Sequence, residues 1–166
     1  MDIASKIQLQ KDMLKRIDQQ ISLLNQKSAI LLAALGLIVG FLLNYSPGDN
    51  APLVIYIIEI LAFLNATLTA IILLSIVYPF LKSGGPIESK ASVIYFGRIA
   101  EREAHEYVVS VQELDDIGLL SDLSAQIHGL SKSLMHRFRL SRIAIILLGL
   151  LFVEITALFV TEVIYG

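Results

Sequence analysis

Along the first 27 residues the apolar side chains alternate between steps of four and three. Ile3, Ile7, Gln10, Leu14, Ile17, Ile21 and Leu24 are spaced 4, 3, 4, 3, 4 and 3. This pattern predicts an amphipathic helix over 2–27, with Ile7, Leu14 and Ile21 at heptad position a and Ile3, Gln10, Ile17 and Leu24 at d. Isoleucine at both a and d favours three or four strands, and a single polar Gln layer can fix register. Two readings follow for the stripe Ile7, Leu14, Ile17, Ile21 and Leu24. It is a self-association surface, or it packs on the chain's own polar helices.

At residue 28 the alternation gives way to continuous apolar sequence. Residues 28–45, SAILLAALGLIVGFLLNY, are long enough to cross about 30 Å of hydrocarbon as a helix. Gly36 and Gly40, with Ala29 and Ala33 behind them, make a small-residue face of the kind that lets helices approach closely in lipid. SPGDN at 46–50 has turn composition, so the next span must return directly. That span reads as 53–81, longer than a bilayer requires, with Pro79 bending or stopping its end. A Gly/Ser/Pro-rich linker over 82–92 precedes one or two short helices within 93–116. From Asp122 the chain shows apolar residues at Leu123, Ile127, Leu130, Leu134 and Phe138, one helical face, and runs without Pro into the apolar segment 142–166. The pattern predicts one long helix, half in water and half in lipid.

The divisions are thus a coiled-coil helix at 1–27, a transmembrane hairpin at 28–81, a helical sensor region at 82–141 and a third transmembrane helix at 142–166. The expected fold class is an all-α membrane protein with three transmembrane helices and a small cytoplasmic helical insert. Composition agrees: 55% of residues are hydrophobic and the mean hydropathy is +0.72, high for a soluble domain. Charge gives a direction. Of thirteen Lys and Arg, five precede the first span and eight lie between the second and third. The positive-inside rule then places the N-terminus and 82–142 in the cytoplasm. No cleavable signal peptide is visible, because the first 27 residues are polar.

Enzyme classes find little support. The chain has no Cys, only three scattered His, and no P-loop, nucleophile-elbow or zinc-protease motif, so neither a metal nor another cofactor is expected. Glu101 and His105 share a helix face, where a solvated charged surface explains them better than an acid–base pair. The informative polar residues are in the spans. Glu59, Asn65 and Thr69 lie in the second and Glu154 near the centre of the third. A carboxylate at that depth costs at least about 2.5–3.5 kcal/mol on insertion scales, so it faces a partner or water. These four are pore-lining candidates, since one Glu per subunit becomes a cation-favouring ring in a symmetric oligomer. Interhelical hydrogen bonding is the competing account. Nearer the water, Lys132, Arg137, Arg139 and Arg142 crowd one stretch, with His128 and His136 close by and Arg98 and Arg102 one turn apart upstream. They fix topology and meet anionic headgroups, or they bind a phosphate-bearing ligand.

Two segments carry a family resemblance. One is SVIYFGRIA, 92–100, soon after a span ending in VYPFL. The other is DLSAQIHGLSKSLMHRFRLSRIAI, 122–145, entering the last span. Together they resemble the transmembrane effectors of bacterial Pycsar anti-phage defence. The matching residues are Tyr95, Phe96 and Gly97, then Asp122, Gln126, Ile127, Leu130 and Ser131. The chain departs where family members often carry Lys, having His136 and Arg137 there. The resemblance implies an effector that answers a nucleotide signal and damages the bacterial inner membrane during infection. In Pycsar that signal is a cyclic pyrimidine mononucleotide, cCMP or cUMP, made by a partner cyclase. The Hailong defence system has a similar logic: a nucleotidyltransferase-like polymerase is paired with a membrane channel held closed by a single-stranded oligodeoxynucleotide.

The expectation is therefore a nucleotide- or oligonucleotide-gated channel, a homo-oligomer and most simply a tetramer, multi-pass in the inner membrane. Its sensor would use Lys132, Arg137, Arg139, Arg142, His128, Arg98 and Arg102. The alternative is a non-conducting membrane scaffold that recruits a soluble partner through its coiled coil.

Overall fold

The computed structural model describes residues 2–45, 47, 52–78 and 92–165, with Phe96 and Arg98 described for backbone alone. The described residues form five α-helices and no strands: α1 (Ile3–Asn44), α2 (Leu53–Val77), α3 (Phe96–Ala100), α4 (Ala104–Gln112) and α5 (Asp116–Tyr165). The all-α fold is as expected, and α1, α2 and α5 are long and apolar enough to cross a membrane.

The polar and apolar parts of α1 are one helix of 42 residues, with no break at 27/28. The change there is in solvent preference, not backbone preference. No Gly or Pro precedes Gly36, and in lipid each backbone amide must be bonded within the helix. Asp2 caps the start, its Oδ1 accepting the Ala4 N–H at 2.7 Å. At 50 residues α5 is longer still, and it begins at Asp116, six residues before the expected start. Asp115 makes that start by accepting the Gly118 N–H at 2.8 Å, a capping bond that satisfies one of the first free amides. The 93–116 stretch resolves into two helices, α3 and α4. The second span ends at Val77, earlier than the expected 81. Tyr78 is extended, as a residue before proline prefers. Residues 79–81, most of the 46–50 turn and all of the 82–92 linker but Ser92 lie outside the described residues.

The chain forms two compact units. The membrane unit holds 24–79 and 137–166. Its buried side chains include a seven-residue series on each helix: Ser28, Leu35 and Leu42 on α1, Ile55, Ala62, Thr69 and Ile76 on α2, and Ala144, Leu151 and Leu158 on α5. On α2, Ala66 and Leu73 add a second series between the first. A seven-residue repeat is the signature of left-handed helix packing, in which 3.5 residues per turn keep one seam facing its neighbours. Phe41 stacks on Phe159 with ring centroids 5.4 Å apart, and Arg137 Nη1 donates to Asn25 Oδ1 at 3.3 Å. These two contacts, taken in order along both helices, make α1 and α5 parallel. The outward side chains, such as Leu37, Phe152 and Val163, are large and apolar.

The second unit holds 1–23 and 80–136. Its buried residues are Ile7 on α1, Ser92 and Val93 before α3, and Leu123 and Ile127 on α5. Leu14, Ile17 and Ile21 are half-buried here, and Leu24 is buried in the membrane unit. The heptad stripe of α1 is thus largely covered inside a single chain. Only Ile3 among its seven positions is exposed.

Candidate functional site

In the polar unit, Asp122 is the organising side chain. It sits in the second turn of α5 and accepts the Val93 N–H through Oδ2 at 2.9 Å. Ser92 Oγ accepts the Tyr95 N–H at 3.1 Å, shaping the entry to α3. The first bond ties Val93 to α5, the second shapes the 92–95 turn itself, and the Val93 side chain is buried. Gly97 lies under the Tyr95 ring: a Cβ there would come within 2.8 Å of Tyr95 Cε1, so any larger residue would make the ring move. One turn along α5 from Asp122, Gln126 Oε1 is buried with no hydrogen-bond partner among the described residues. Gln10 Oε1 on α1 is in the same condition.

The expected ligand cations are distributed unevenly. Lys132 and His128 are exposed on α5 in this unit, and Arg102 is half-buried between α3 and α4. The Arg98 side chain lies outside the described residues. Arg139 and Arg142, exposed, belong to the membrane unit, as does Arg137, which the structure ties to Asn25.

The membrane unit brings three of the four pore candidates together. Asn65 Nδ2 donates to Glu154 Oε2 at 3.0 Å and to the Leu147 carbonyl at 3.2 Å. Thr69 Oγ1 donates to the Asn65 carbonyl at 2.8 Å and lies 3.4 Å from Asn65 Oδ1. Asn65 and Thr69 are buried and Glu154 is half-buried. Glu59 stands apart, half-buried near the start of α2. Glu154 thus meets a partner on a neighbouring helix. The residues not singled out from sequence are Asn25, Ser92, Val93 and Leu147. Two of these act through backbone atoms, which have no signature in a sequence.

The family model that matches this chain spans residues 9–165 under the description Pycsar effector protein domain, a range that takes in Tyr95 and Gly97 at α3 and Asp122, Gln126 and Ile127 on α5. The chain belongs to the Pycsar effector family. No curated protein and no solved structure matches it. As a Pycsar effector with three apolar helices it is a membrane-associated component of anti-phage defence, the receiving side of a cyclic nucleotide signal from a partner cyclase.

Proposed function

We propose that this Pycsar effector is a nucleotide-gated channel of the bacterial inner membrane, assembled as a homo-oligomer and most simply a tetramer. The observation that carries the reading is the continuity of α5. One helix bears Asp122, which holds the insert, and Glu154, which meets Asn65 in the membrane unit. Rotation or translation of a helix at one end is felt at the other, because its backbone bonds make it stiff. The charge distribution supports placing the N-terminus and 82–141 in the cytoplasm, where the signal is made. The ligand is a cyclic pyrimidine mononucleotide, and an oligodeoxynucleotide is the competing class. Lys132, His128, Arg98, Arg102, Arg137, Arg139 and Arg142 are the candidate contacts, and Glu59, Asn65, Thr69 and Glu154 the candidate path.

The test is ion flux from liposomes containing the purified chain, with cCMP, cUMP, a single-stranded oligodeoxyadenylate or no addition. Flux that appears with one mononucleotide, and falls when Arg139 and Arg142 are both changed to Glu, supports the reading. Absence of flux under every condition supports the second reading, a non-conducting membrane scaffold. That reading draws on the engagement of Glu154 by Asn65, which leaves its carboxylate partnered inside the bundle. The mass of the detergent-extracted particle tests the tetramer.

A further inference from the structure

Asn65 is 8% exposed and sits where α2 faces α5. Both hydrogens of its amide reach acceptors on α5, the Leu147 carbonyl and Glu154 Oε2. The geometry suits this, since a helical carbonyl points toward the C-terminal end while the side chain two turns on leans back toward the N-terminal end. The amide nitrogen lies between them. A backbone carbonyl can only accept, so Leu147 fixes which end of the amide faces α5. Thr69 beside the Asn65 carbonyl oxygen agrees with that assignment. Glu154 therefore acts here as an acceptor, a role that a carboxylate, a carboxylic acid and a carboxamide all fill. A slip of α5 by one residue turns its facing side by about 100° and carries both acceptors away from the amide.

We propose that Asn65 is the positioning residue of the membrane bundle, setting α5 against α2 in one register, and that Glu154 serves it through its acceptor oxygen and not through its charge. The proposal goes beyond the channel reading and does not depend on conduction. Its test is the thermal unfolding midpoint of the full chain in detergent, followed by circular dichroism. Glu154→Gln, which keeps the acceptor oxygen, is expected to leave the midpoint unchanged. Glu154→Leu and Asn65→Leu each strand a polar group in the bundle and lower the midpoint by about 2–4 °C. The double variant, with neither group left to strand, loses no more than either single one. Two results overturn the proposal: Glu154→Gln falling as far as Glu154→Leu, or losses in the double variant equal to the sum of the singles. Where Asn65→Leu does not accumulate, the Gln and Leu variants of Glu154 still decide it. A chain that gives no ion flux but shows the coupling removes the channel reading and leaves this one standing.

Discussion

Asp122 and Val93 are 29 residues apart, and a single charge-assisted bond brings them together. The Val93 amide is close to buried, so removing its acceptor leaves a donor without water or partner. Asp122→Ala should cost about 1.5–3 kcal/mol of local stability. Asp122→Asn keeps an acceptor and should cost less. Limited proteolysis of the 92–112 insert reads the difference: faster cleavage in the Ala variant, near-normal cleavage in the Asn variant. Equal cleavage in all three would mean that Asp122 does not hold the insert. From sequence, Asp122 stood out only through its family motif. Its partner could not be found, because any of the chain's backbone amides is an equally good donor on paper. Asn65 and Glu154 differ in this respect. Each was conspicuous as a polar residue in an apolar span, yet 89 residues separate them, and nothing in either span points to the other.

At the scale of elements, periodicity was the readable quantity and boundaries were not. The heptad of α1 was evident through Leu24. The buried positions Ser28, Leu35 and Leu42 continue the same seven-residue step, hidden because every residue around them is also apolar. The apolar face that marks α5 in the sequence begins at Leu123, whereas the helix itself begins six residues before Asp122, where Asp115 accepts the Gly118 amide as an N-cap. A channel worked through α5 needs the helix intact between Asp122 and Glu154. Ser141→Pro, at the passage from polar to apolar sequence, removes a backbone bond and costs about 3 kcal/mol or more. On the channel reading, the variant should still insert and take up the signal, yet no longer arrest growth. Gly149→Ala is the matched control. Its Cβ would meet nothing within 4 Å, and the helix should gain about 0.5–1 kcal/mol with arrest retained. Arrest by the Pro variant at normal levels would remove the continuity of α5 from the mechanism.

For the whole molecule the deciding quantity is the side of the membrane on which each polar segment lies. The fold alone is indifferent to this, since a bundle of three helices inserts equally well either way up. The asymmetry is in the charges: all thirteen Lys and Arg lie before the first span or between the second and third. On the proposed reading, a cyclic nucleotide made in the cytoplasm would reach the candidate contacts Lys132, His128 and Arg102 only if that asymmetry has the orientation the positive-inside rule assigns. The chain contains no cysteine, so single cysteines introduced into it report without background. Tyr165→Cys, exposed at the end of α5, should react with a membrane-impermeant maleimide in intact spheroplasts. His105→Cys, exposed on α4, should react only after permeabilisation. The opposite pattern would place the basic residues outside, and a cytoplasmic nucleotide could then act on this effector only across the bilayer. Changing Lys6, Lys11, Lys15 and Arg16 to Glu should weaken the preference and give a mixed pattern for both reporters, because the first helix usually dominates orientation.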